Sequence, residues 1–401
     1  MSDSIGIRAT AVLREPPIGS PRRMSRRRVL GTLAAMAAGV PLFGCSPAGR
    51  GPADTTDLLY LGSWGRSEIR AAAFDPAAGA LTSIGVVAQA SSSWSTMHPS
   101  LPILYVAGGG AGGSVTAYRI DPPTGRLTRI GATMTGGVGA VGTVSYISVD
   151  PATLLVANYA DHLVAAVPID PDGGIGAPAS IMRFAGSGPN KRQDSSHPHC
   201  VVTDPSGKYV LVADFGADRV FVQRFDPATR TLSEGPSPYV PAPGSGPRRL
   251  VWHPDGRTVY LLNELAADIE TLTWDSGTGS LTRRHTVSTE TAAFAGTRSA
   301  AELALGTDAR YLYASDRGEN TLVVYSIDPH TSLPTLVQRV PCGGILPWSF
   351  TIHRGGRWMF VANQGSGAVT LFGIDPGSGR LAAAGRSLAV PAADGVVCLA
   401  R

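Results

Sequence analysis

Seven times between residues 74 and 377 the chain returns to one tight turn. It reads Phe74-Asp75-Pro76-Ala77-Ala78-Gly79, then Ile120-Asp121-Pro122-Pro123-Thr124-Gly125. It recurs at Asp170-Pro171, Asp226-Pro227, Asp328-Pro329 and Asp375-Pro376, with a degenerate copy at Asp275-Ser276-Gly277. The aspartates are spaced by 46, 49, 56, 49, 53 and 47 residues. The turns have local causes: the aspartate bonds the turn backbone, a proline after it sets φ in all but the degenerate copy, and a following glycine, where one is present, accepts positive φ. A period of this length, held through most of a chain, restricts the fold to stacked or circular repeats.

A short apolar run precedes each turn and another follows several, as at Val115–Ile120 and Leu127–Ile130. A second hairpin lies upstream. Asp204-Pro205-Ser206-Gly207 precedes Tyr209–Ala213, and His253-Pro254-Asp255-Gly256 precedes Val259–Leu262. Each unit therefore reads as four short antiparallel strands, which is a propeller blade. A β-sandwich does not need seven like units, and β-helix rungs are shorter. The expected fold is all-β, a seven-bladed β-propeller over residues 57–401. The first unit starts at Leu58 with no innermost strand of its own, while 395–400 is a strand with no unit. Pairing the two completes blade 1 and removes a sheet edge.

Hydrophobic residues make up 43% of the 401 and charged residues 16%, a globular balance. The net charge of +4 belongs to the N-terminus. Residues 1–44 hold seven Arg against Asp3 and Glu15, a surplus of five, so the rest sits near −1. No basic stripe with interleaved aromatics asks for nucleic acid. Arg26-Arg27 followed by the apolar stretch from Val29 to about Phe43 resembles a twin-arginine export signal, and Leu42-Phe43-Gly44-Cys45 resembles a lipobox. Residues 1–44 are thus expected to be an export signal, Cys45 a lipidation site and 45–56 a tether. The protein would be anchored outside the bacterial cytoplasmic membrane through that lipid, or secreted. Cys200, Cys342 and Cys398 fall in different units and form no C-x-x-C, which argues for small core residues over a disulfide framework or a zinc site.

Propeller sites sit where innermost strands begin and inner loops meet. The polar residues at those positions are His197-Pro198-His199, Gly246-Pro247-Arg248-Arg249, Asn263-Glu264-Leu265 and Ser315-Asp316-Arg317-Gly318. A histidine before a strand often only caps it, and an arginine at a strand end often only faces water. Repetition at equivalent blade positions is what singles these out. An imidazole moves protons near neutral pH, and guanidiniums hold a carboxylate or a developing oxyanion.

Four segments carry a family resemblance: HPHCVVTDPSGKYVLVADFGADRV (197–220), GPRRLVWHPDGRTVYLLNEL (246–265), YLYASDRGENTL (311–322) and MFVANQGSGAV (359–369). They resemble the seven-bladed β-propeller lactonase family, which includes bacterial 6-phosphogluconolactonase and fungal carboxy-muconate lactonizing enzymes. The resemblance implies a catalytic set of His199, Arg248, Glu264 and Arg317. His197, Arg249, Asp316 and Trp348 are expected as further substrate contacts. Two positions depart from the family: Arg249 stands where many members have histidine, and Trp348 follows Pro347 where several have arginine. The implied activity is hydrolysis of a small, acid-bearing lactone by a monomer, without cofactor or metal. A calcium site built partly from Glu264, Glu302 and Asp316 is the metal-dependent alternative. A lactonizing isomerase and a non-enzymatic surface scaffold are the other readings.

Overall fold

The computed structural model describes residues 56–108, 113–136, 145–149 and 153–399. The expected export segment, Cys45 and nearly all of the tether lie outside the described residues. Those described form seven four-stranded antiparallel sheets and no α-helix. From the innermost strand outward, blade 1 is β28 (Ala393–Leu399), β1 (Asp57–Ser63), β2 (Ile69–Asp75) and β3 (Ala80–Ala88). Blade 2 is β4 (Trp94–Met97) to β7 (Leu127–Met134), and blade 3 is β8 (Ser145–Val149), β9 (Thr153–Asn158), β10 (Leu163–Pro168) and β11 (Ser180–Arg183). Blade 4 is β12 (Pro198–Thr203), β13 (Tyr209–Asp214), β14 (Arg219–Asp226) and β15 (Thr231–Ser233). Blade 5 is β16 (Pro247–Trp252), β17 (Thr258–Asn263), β18 (Asp268–Asp275) and β19 (Ser280–Ser288). Blade 6 is β20 (Ala300–Leu305), β21 (Tyr311–Asp316), β22 (Thr321–Ile327) and β23 (Pro334–Pro341). Blade 7 is β24 (Pro347–Ile352), β25 (Trp358–Asn363), β26 (Ala368–Ile374) and β27 (Leu381–Ala389).

The ring closes as the sequence implies. β28 pairs antiparallel with β1, Leu58 opposite Leu399 and Leu61 opposite Val396. The closing strand starts two residues earlier than expected, at Ala393.

The core is a set of seams. Each of seven hydrophobic clusters draws its members from two adjacent blades. In β5 (Ile103–Gly108), Ile103 and Tyr105 face blade 3 while Leu104 and Val106 face blade 1. A strand buried on both faces loses its polar alternation, so the second strands read as continuous apolar runs. Tyrosines clasp neighbouring blades. The Tyr60, Tyr105, Tyr260 and Tyr313 hydroxyls donate to the carbonyls of Gly125, Gly173, Ser332 and Gly379, each in the outer turn of the next blade. Cys200 and Cys342 are buried and Cys398 half-buried, all three as thiols.

Antiparallel order divides the turns between two faces. Turns joining the first to the second strand, and the third to the fourth, lie on one face. Loops joining the second to the third strand, and one blade to the next, lie on the other. The repeated aspartate turns mark the first face, and the candidate residues belong to the second.

Candidate active site

Two repeated backbone features build the site. The first is a β-bulge at the start of innermost strands. Pro247 pairs with Asn263 and Arg249 with Leu262, which leaves Arg248 as the extra residue. The same shift makes His199 extra in β12 and Trp348 extra in β24. A bulge re-aims one side chain out of the strand's alternation. The second feature is a hydrogen bond at the rim. The residue just after a second strand donates its N–H to the carbonyl just before the innermost strand: Glu264 to Gly246 (2.8 Å), Arg317 to Ser299 (2.8 Å) and Trp64 to Ala392 (2.9 Å).

Together these features bring His199, Arg248, Glu264, Arg317 and Trp348 to one cavity of ≈ 200 Å³, which Trp64, Tyr159 and Arg192 also line. Glu264 is its electrostatic centre, 1% exposed. Its Oε2 accepts from Arg248 Nη1 at 2.7 Å. Its Oε1 takes Arg317 Nη2 at 2.8 Å and Arg192 Nη2 at 2.6 Å. Burial alone would raise this carboxyl, but Arg317, Arg248 and Arg192 outweigh it and hold the pKa at about 2. Arg248 is braced by its Nε donating to the Ala301 carbonyl at 2.6 Å. Arg317 lies over the Trp348 indole at 4.5 Å.

His199 is buried, and its Nε2 contacts Arg248 Nη1. A guanidinium can only donate, so Nε2 accepts and the neutral ring carries its proton on Nδ1. Burial, then the charges of Arg248, Arg317 and Arg249, push its pKa well below the ordinary histidine value. Tyr159 packs edge-on to His199 at 5.8 Å between ring centroids. Burial, then Glu264, raises its phenol to about 12, so it stays a neutral donor.

The weaker expectations divide. Trp348 lines the cavity. His197 stands behind it, stacked on Tyr159 at 4.4 Å with its Nδ1 3.0 Å from the Tyr159 carbonyl. Arg249 does not reach the cavity. Because Arg248 is the bulged residue, Arg249 resumes the strand's alternation and points into the central channel, a separate space of ≈ 360 Å³. There its Nε pairs with Glu302 at 2.7 Å, and its guanidinium lies 5.1 Å from the Trp94 ring. Asp316 does not line the cavity either. Fully buried, it accepts from Thr289 Oγ1 (2.6 Å) and the Glu319 N–H (3.1 Å), and so holds its own turn. The partial calcium set does not converge: Glu264 is gripped by arginines, Glu302 faces the channel and Asp316 braces a turn.

Sequence reasoning missed Trp64, Tyr159 and Arg192. A signal existed for two. Ser63-Trp64, Asn158-Tyr159, Asp214-Phe215, Asn263-Glu264 and Asp316-Arg317 occupy one register, a buried polar residue ending the second strand and then a rim residue. Arg192 comes from the loop between β11 and β12 and lies outside that register.

The sequence profile described as "Lactonase, 7-bladed beta-propeller" matches residues 58–398. The chain belongs to that family. Its lactonase relatives include the 6-phosphogluconolactonase of Bacillus subtilis (strain 168), 27% identical over 281 residues that cover 70% of this chain and 78% of the relative. Among solved structures, the periplasmic gluconolactonase of Pseudomonas aeruginosa is 33% identical with a TM-score of 0.80. The match covers 86% of this chain and 99% of that one. A putative 6-phosphogluconolactonase from Bacteroides fragilis is 25% identical with a TM-score of 0.79, covering 87% and 99%. The lactonase family is one of lactone-hydrolysing enzymes, and its shared architecture accounts for the blade count and the closure.

Proposed function

We propose that this chain is an exported lactonase that opens a small, acid-bearing lactone in the Glu264 cavity. The carrying observation is the convergence of one neutral imidazole and two buried guanidiniums around a single enclosed space. A scaffold surface has no need of such convergence.

A lactone carbonyl entering the cavity competes for the Arg248 N–H, which frees the His199 Nε2 lone pair for a water molecule. His199 takes one proton as the water oxygen bonds to the carbonyl carbon. Arg248 and Arg317 stabilise the oxyanion. The ring C–O bond then breaks, His199 returns the proton to the departing ring oxygen, and a hydroxy acid leaves. Glu264 fixes both arginines throughout and offsets part of their charge. Export rests on the N-terminal pattern and on the periplasmic placement of the Pseudomonas aeruginosa relative.

His199→Ala is expected to lower lactone turnover by about 10²–10⁴-fold. Because burial and the arginines keep His199 unprotonated, the acid limb of the wild-type rate profile should lie below pH ~6.5, the ordinary histidine value. Undiminished hydrolysis by His199→Ala would sink the mechanism. For the anchor, Cys45→Ser should move the protein from the membrane fraction to the soluble one. Retention in membranes would count against lipidation.

A further inference from the structure

Arg192 differs from the other arginines of the cavity in exposure, origin and necessity. Its side chain is 45% exposed, against 4% for Arg248 and 6% for Arg317. It therefore forms the solvent side of the wall. It rises from a loop whose backbone is pinned, and its guanidinium reaches Glu264 from the solvent side. The Arg192 N–H donates to Asn190 Oδ1 at 3.0 Å. The next residue, Gln193, is buried and anchors the loop to the β13–β14 turn, donating from Nε2 to the Phe215 carbonyl (2.8 Å) and to Asp218 Oδ1 (2.9 Å). The guanidinium rests 4.7 Å from the Phe215 ring centroid, a flat support at the mouth.

The third difference concerns Glu264. Each of its oxygens already accepts from a buried guanidinium, Arg248 on Oε2 and Arg317 on Oε1. Arg192 is a second cation on an oxygen already used. It can leave without stripping Glu264 of a partner on either side, and neither buried arginine can do so. The side chains lining the cavity carry three guanidiniums, one carboxylate and a neutral imidazole, a surplus of two positive charges. Such a wall favours an anionic occupant.

We propose that Arg192 reads the anionic group of the substrate. Its guanidinium moves from Glu264 Oε1 to a carboxylate or phosphate carried by the lactone. It holds that group at the mouth while the lactone carbonyl reaches Arg248 and His199. This rests on the lactonase reading and names the residue that selects the substrate class.

Two matched pairs of lactones test it: glucono-δ-lactone with its 6-phosphate, and glucono-γ-lactone with glucaro-γ-lactone, which bears a carboxylate in place of the terminal CH2OH. Wild type, Arg192→Ala, Arg192→Lys and His199→Ala are compared by kcat and KM. For at least one pair the wild-type ratio of kcat/KM, anionic over neutral, should exceed one. Arg192→Ala should lower that ratio by about 10–100-fold, the range for hydrogen bonds to a charged group. The loss should fall on KM, and lysine should restore only part because it lacks the planar fork. The pair with the larger ratio tells carboxylate from phosphate. A wild-type ratio at or below one for both pairs, or a ratio unmoved by Arg192→Ala, overturns the assignment. Equal losses on both members carried by kcat also overturn it, since Arg192 would then act only through Glu264. Turnover undiminished in His199→Ala defeats the His199 mechanism, whereas no hydrolysis of any of the four by wild type defeats the lactonase reading itself.

Discussion

His353 and His199 are both buried, on opposite faces of one ring, and they are held in opposite ways. His353, in the turn between β24 and β25, accepts the Gly355 N–H on Nδ1 at 3.1 Å. Its Nε2 therefore donates to Asp57 at 2.7 Å, which ties blade 7 to β1, the second strand of blade 1, at the closure. The pattern is part of the repeat: His98 Nδ1 accepts from Ser100, and His253 Nδ1 from Asp255, in the matching turns. His199 follows no such rule. It occupies a bulge position where other blades place Arg248 or Trp348, and its Nε2 lone pair meets a cation instead of a turn amide. On the turn face, repetition makes structure. On the loop face the backbone repeats, and the chemistry comes from what differs between blades at one register.

The strongest way to break this contrast is to remove the anion that holds the loop face together. Glu264→Gln keeps the shape and leaves Arg248 and Arg317 without the buried carboxylate between them. Breaking a buried pair from one side costs about 3–5 kcal/mol, so the melting temperature should fall by several degrees and lactone turnover should collapse. The pH dependence has a definite sign. The folded carboxyl lies at about 2, below the ordinary glutamate value, so its stabilisation is complete above pH ~4.5 and lost as pH falls through about 2. The stability gap between wild type and Glu264→Gln, followed by denaturant titration, should narrow over that window. A gap that is small at pH 7, or that widens in acid, contradicts the pairing.

The same contrast decides what could be read in the sequence. The turns were legible because Asp75, Asp226 or Asp375 act on amides two or three residues away, and local chemistry survives in one dimension. The closing strand was legible because Leu58 lacked an inner partner. Four of the residues that line the cavity, His199, Arg248, Glu264 and Arg317, were reached through strand ends and family motifs. The facing of Arg248 and Arg249 was not, because it turns on a one-residue bulge that leaves no mark in residue type. Asp316 and Arg317 are neighbours with equal claim to a site by chemistry, yet only the second lies beyond the strand end. Arg192 stayed hidden because it belongs to a loop outside the repeat, fixed through Gln193 by contacts 22 and 25 residues away.

The smallest effect sharpens the comparison from the turn face. Tyr260→Phe removes the hydroxyl that donates to the Ser332 carbonyl at 2.7 Å, one of the clasps between blades 5 and 6. The ring still fills the seam, where Tyr260 is fully buried among Leu262, Ile269 and Tyr325. The loss is then one neutral hydrogen bond, about 1 kcal/mol, since the carbonyl is left with one donor fewer in a partly wet turn. Spread over a fold of this length, that amounts to a shift of a degree or two in melting temperature. Tyr260 is not among the side chains that line the cavity, so kcat and KM for a hydrolysed lactone should stay within about twofold of wild type, well inside the effect of losing a general base. A Tyr260→Phe protein that melted normally but turned over slowly would mean that the seams transmit strain to the bulges, and that the two faces are less independent than their hydrogen bonds imply.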